Sequence, residues 1–75
     1  MNSLWMVTVP TEGSSAGQRV RGTQSFVVRA GRRNAAVRSA LARAMTTHAR
    51  RRRLYARIDP SQVTVSELGQ GQAVR

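Results

Sequence analysis

The sequence predicts a small α+β domain, an antiparallel sheet of three to four strands with one amphipathic helix packed on one face. Three observations carry that expectation. Stretches before residue 31 and after residue 53 alternate apolar and polar side chains with the period of a strand. Between them, one Ala- and Arg-rich stretch carries a helical period. The chain has 75 residues, room for one domain at most. The expected order is ββαββ, or ββαβ with a frayed end, over residues 1–68.

The first strand is read at 4–9, "LWMVTV". Trp5, Val7 and Val9 share one face, and Leu4, Met6 and Thr8 the other. Pro10 is expected to end the ladder, because it has no N–H to donate. "TEGSSAGQ", 11–18, reads as a flexible Gly/Ser loop; it lacks the Gly-Lys-Ser/Thr ending of a phosphate-binding loop. β character resumes over "RVRGTQSFVVRA", 19–30, where Phe26, Val28 and Ala30 alternate with Val27 and Arg29, and Gly22 is a candidate bulge; the segment to pair with 4–9 is 23–30. The two strands should form an antiparallel hairpin with a long loop.

The helix is expected over 31–51, because Ala and Arg are strong helix formers. Asn34 is the candidate N-cap, with Gly31 the alternative. At about 100° per residue, Val37, Leu41, Ala44 and His48 share a face, flanked by Ala40 and Met45. Arg32, Arg43 and Arg50 fall within about 20° of one another on the opposite face. "RLYARI", 53–58, then reads as a strand with Leu54, Ala56 and Ile58 inward and Tyr55 and Arg57 outward. "DPSQ", 59–62, is a turn by composition. "VTVSEL", 63–68, is the last strand, and 69–75 a flexible Gly-rich tail. The expected core is Trp5, Val7, Val9, Phe26, Val28, Val37, Leu41, Met45, Leu54, Ile58, Val63 and Val65.

A chain this short buries only about 60% of its unfolded surface, and it has no cysteine to staple it. A Cys-based metal site is excluded, and a homodimer is an open way to thicken the core. No apolar run approaches the roughly 20 residues that span a bilayer. "MNSLWMVTVP" lacks the charged start of a signal peptide. The expected location is therefore cytoplasmic, with no membrane partner.

The charge is one-sided. Thirteen arginines and no lysine face Glu12, Asp59 and Glu67, for a net charge of +10. Twelve of those arginines lie between Glu12 and Asp59, a span with no acid inside it. GC-rich codon usage accounts for Arg replacing Lys, but not for the scarcity of Asp and Glu. Such a field attracts polyanions.

General acid–base chemistry draws on His, Asp, Glu, Lys, Tyr or Cys. Here one His and three acids are scattered, with no spacing of a triad, a carboxylate pair or a metal cluster. His48 reads as a core-edge histidine. No catalytic residue, metal ligand or cofactor is expected, and the chain is not expected to be an enzyme.

"THARRRRLYARID", 47–59, is the stretch that points to a partner. One or two cations would serve a helix C-terminus; four in a row exceed that need. Arg forks take phosphates bidentately. The expectation is a small, strongly basic nucleic-acid-binding accessory protein that contacts the phosphate backbone of duplex DNA or structured RNA. The candidate contacts are Arg32 and Arg43 on the helix, the run Arg50, Arg51, Arg52 and Arg53, and Arg57 on the strand. Tyr55 is the candidate stacking residue; with three aromatics in all, a sheet platform for single strands is disfavoured. The alternative is a non-enzymatic adaptor or inhibitor, of the kind that phages and mobile elements encode, docking on an acidic protein surface through arginines and an open strand edge.

Overall fold

Residues 3–30 form one long β-hairpin on which everything else is laid. The computed structural model describes residues 2–69. In it β1 (Ser3–Ser15) and β2 (Gln18–Ala30) pair antiparallel from Ser3↔Ala30 to Ser15↔Gln18. Then follow α1 (Arg33–Ala44), α2 (Thr47–Arg52), β3 (Arg57–Ile58), one 3₁₀ turn at Pro60–Gln62 and β4 (Thr64–Gly69). The sheet has four strands and the helices lie on one of its faces, so the fold is α+β. β1 is central. β2 lies along one side of it, while β4 and β3 share the other, β4 against Leu4–Thr8 and β3 against Thr11–Glu12.

The expected loop at 11–18 is largely strand. Its polar residues continue the ladder, and the reversal needs only Ala16 and Gly17. Both have positive φ, 52° and 79°, as a two-residue hairpin turn with the right-handed twist of its strands requires. Gly22 makes no bulge there; it pairs in register with Thr11.

Pro10 does not end β1, and the ladder explains why. Bonding alternates outward from the turn, so Pro10 and Thr23 form a non-hydrogen-bonded pair. The missing donor therefore points to the opposite edge. There Pro10 falls in the gap between β4, which reaches Thr8, and β3, which begins opposite Thr11. Its carbonyl still accepts the Asp59 N–H at 2.9 Å.

The helical stretch is two helices. Thr46 breaks it: its Oγ1 accepts the Ala49 N–H at 3.2 Å, the N-cap bond of α2, and donates to the Arg43 carbonyl at 2.7 Å. Neither Asn34 nor Gly31 caps α1; the N-cap position is Arg32, with no side-chain bond. The buried face of α1 is Ala36, Ala40 and Ala44, with Val37 and Leu41 half-buried beside it. Met45, 56% exposed, and His48, also exposed, leave the expected stripe because the helix stops before its phase reaches them.

The core lies between this alanine face and the inner face of the hairpin. Val7, Val9, Phe26, Val28 and Ala30 meet Ala36, Ala40, Ala44 and Ala49. Trp5, Ile58, Val63 and Val65 pack half-buried around them, and the Trp5 indole N–H donates to the Ala30 carbonyl at 3.0 Å. Val7 and Val9 are the largest side chains fully buried. Burying each contributes about 1.5–3 kcal/mol. Leu54 is not in the core at all; it is 87% exposed.

The strand expected at 53–58 shrinks to Arg57–Ile58, because residues 53–55 close a turn after α2. The expected turn at 59–62 is the 3₁₀ turn, capped by Asp59, whose carboxylate accepts from Ser61 N–H and Oγ–H at 3.1 and 2.6 Å. Gly69 belongs to β4, and the rest of the expected tail, 70–75, lies outside the described residues.

Candidate nucleic-acid interface

The hairpin outruns the helices. The molecule is 46 Å long and 26 by 21 Å across, and residues 14–20 at its tip are all exposed. The sheet end from Glu12 to Arg21 thus forms a two-stranded arm. Strand alternation puts Glu12, Arg19 and Arg21 on its outer face, with Arg57 of β3 beside Glu12. Glu12 pairs with Arg19 at 2.7 Å, an exposed bridge of small energetic weight.

The run at 50–53 divides. Arg50, Arg51 and Arg52 are exposed in the last turn of α2. Cations there interact favourably with the helix dipole, by about 0.3–1 kcal/mol each. Arg53 turns inward. Its Nε donates to the Ala56 carbonyl at 2.7 Å, and its Nη1 to Gln24 Oε1 at 3.0 Å and to the Ala44 carbonyl. It thereby satisfies the free C-terminal end of α1 and ties α2 to β2. Gln24 completes the tie by donating to the Ala49 carbonyl at 3.0 Å.

The turn that follows is a Schellman motif. Tyr55 N–H donates to the Arg50 carbonyl at 2.8 Å and Leu54 N–H to the Arg51 carbonyl at 2.9 Å. Leu54 and Tyr55 have φ of 56° and 62°, the left-handed region. Glycine is the usual residue at the first of these positions. Ala56 then packs on the arm at Gly13, where a Cβ would stand 3.2 Å from the Ala56 Cβ. An open cleft of about 780 Å³ runs between arm and turn, lined by Arg19, Val20, Arg53, Leu54, Tyr55 and Arg57 among others.

The expected arginine line does not form. Arg32 precedes α1, Arg43 lies on α1 and Arg50 on α2, beyond the break at Met45–Thr46. Arg43 is also engaged: Nη1 donates to the Val27 carbonyl at 2.7 Å, and its guanidinium sits 5.7 Å from the Phe26 ring centre. Arg29 and Arg57 share the outer sheet face but not a patch. They oppose Leu4 and Glu12, roughly 27 Å apart along β1. Instead the structure gathers Arg50, Arg51, Arg52, Tyr55 and Arg57 at the arm end. It adds Arg19 and Arg21 on the outer sheet face, whose alternation at the start of the β-like stretch 19–30 was the available signal. Glu67 opposes Trp5, roughly 24 Å along β1 from the arm.

Among the described residues, no group of three or more His, Cys, Asp or Glu side chains could hold a metal ion. Among them too, no helix is long and apolar enough to cross a membrane. No family model, no curated protein and no solved structure matches this chain.

Proposed function

We propose that the protein binds the phosphate backbone of duplex nucleic acid through its arm end. One observation carries this reading: exposed arginines from three elements lie at this end of the molecule, Arg19 and Arg21 of β2 and Arg57 of β3 on the outer sheet face and Arg50–Arg52 of α2 on the helix side. The nearby carboxylates are engaged, Glu12 by Arg19 and Asp59 by Ser61. A two-stranded ribbon is of a size to enter a major groove. Arginines on either side of the cleft would then straddle a strand.

The test is fluorescence anisotropy with labelled duplex DNA and duplex RNA across a salt series. The variant beside it is the triple Arg50→Ala, Arg51→Ala, Arg52→Ala, which leaves the internal ties of Arg53 in place. Affinity should fall log-linearly with salt, by a slope of about 0.9 per phosphate neutralised, and the variant's slope should be shallower. No binding at physiological salt, or an unchanged slope in the variant, defeats the reading.

The outer edge of β2 supports a second reading, an acidic extended segment of a partner protein. β2 ends the sheet. The bonding alternation aims the backbone groups of Arg19, Arg21, Thr23 and Ser25 outward, and Arg43 covers the Val27 carbonyl further along. Thr23→Pro removes an outward donor and leaves the pairing with β1 intact. Partner binding lost in that variant, and kept in the triple arginine variant, would favour this reading over the first.

A further inference from the structure

Two exposed side chains follow Arg50–Arg53 directly in the chain and line the cleft with Arg19 and Arg57. Leu54 is 87% exposed and Tyr55 is 63% exposed, and both sit in the left-handed region where bulky residues are disfavoured. A glycine at 54 would make the same backbone hydrogen bonds without the strain. Strained residues of this kind persist where the surroundings over-determine them, and they cluster at functional sites.

The turn beneath them is firmly held. The two Schellman bonds close it from α2, and the Ala56 N–H donates to the Arg53 carbonyl at 3.1 Å. The Arg53 side chain holds the Ala56 carbonyl, and Ala56 rests on Gly13. An apolar tip thus stands on a rigid base, beside Arg50–Arg52 and Arg57. Its neighbourhood is strongly cationic, so the complementary occupant is an anionic polymer that also offers apolar surface. Duplex nucleic acid offers both, phosphates outside and stacked base faces within.

We propose that Leu54 and Tyr55 form a wedge that enters a base step of the bound duplex, Leu54 between the stacked pairs and Tyr55 against the opened face. This rests on the phosphate-binding reading above. Apolar side chains inserted in this way unstack and kink a duplex, and the unstacking must be offset by contacts the bend permits. A duplex whose stack is already weakened should therefore bind more tightly.

The experiment compares two labelled DNA duplexes, one fully paired and one with a central mismatch, together with the matching RNA pair. Polyglutamate serves as an anion without bases. The wild-type protein should prefer the mismatched DNA about tenfold, a modest share of the few kcal/mol that unstacking costs. The same preference in RNA would make the target a duplex of either kind. Leu54→Gly should lose most of that preference while keeping the salt slope, and Tyr55→Ala should lose part of it. Leu54→Gly relieves strain and should fold; circular dichroism and the melting temperature check this for both variants. Equal affinity for paired and mismatched duplexes, or a preference that survives both substitutions, overturns the wedge and leaves phosphate binding standing. A Leu54→Gly loss as large on polyglutamate as on duplex also overturns it, in favour of a protein partner. No duplex binding at low salt overturns the wedge together with the reading it rests on.

Discussion

Two turns among the described residues take the backbone into left-handed territory, and they do it with opposite residues. At the hairpin tip the chain uses Ala16 and Gly17, small side chains at φ of 52° and 79°. After α2 it uses Leu54 and Tyr55, large ones at nearly the same angles. The first turn is held by strand register alone. The second is held by a guanidinium, two Schellman bonds and a glycine opposite Ala56. The second set of contacts holds in place a conformation that its own residues disfavour.

The comparison breaks most sharply at Arg53. Arg53→Ala leaves the Ala44 carbonyl, the Ala56 carbonyl and Gln24 Oε1 without their shared donor. We expect a loss of roughly 2–3 kcal/mol in urea unfolding, in the range of hydrogen bonds to a charged group. A loss below about 0.5 kcal/mol, the size of an ordinary surface substitution, would show that the turn stands without it. Next in size are two substitutions of opposite sign. Gly17→Ala meets nothing within 4 Å, yet at φ +79° it should destabilise by about 1 kcal/mol through the backbone alone. Leu54→Gly should raise stability, by up to about 1 kcal/mol once the added chain entropy is set against the relieved strain. In a domain of this size that is a melting shift of about 4–8 °C at most. A drop in melting temperature would mean that Leu54 makes stabilising contacts after all. The smallest effect belongs to Ala16→Asn, which installs the Asn-Gly pair that such turns favour. A gain of about 0.5 kcal/mol is expected, near the lower end of the range for such local changes.

The sheet was largely legible in the sequence. Trp5, Val7 and Val9, and Phe26, Val28 and Ala30, alternate as they pack, and Val63 and Val65 fall near their expected place. The length of the hairpin was not. Glu12–Ser15 is polar because the arm extends beyond the helices, and polar Gly/Ser sequence reads as loop by composition whether or not it is paired. The helix break depended on one threonine hydroxyl, a local bond that periodicity does not register. At 53–58 a six-residue alternation suggested a strand, but period two over so short a stretch also fits a helix end and a turn. Of the site residues, Arg50–Arg52, Tyr55 and Arg57 come together as a sequence neighbourhood does. Arg53 differs from them because Gln24 and Ala44 happen to reach it, and those partners are visible only in three dimensions.

The two-residue turn at Ala16–Gly17 also sets a sequence in time. β1 and β2 can meet by closing a minimal loop, an event of about 1–10 μs for hairpins. β4 finds the same central strand only after some fifty intervening residues have been traversed, since Thr8 pairs with Thr64. The β1–β2 ladder should form first and part last, with β4 the looser flank. Amide hydrogen exchange followed strand by strand would then show Thr64 and Ser66, which bond to Thr8 and Met6, exchanging before Val7 and Phe26. In that order of assembly the central strand is guarded on one side from the start, and the arm exists before the turn that will lean on it.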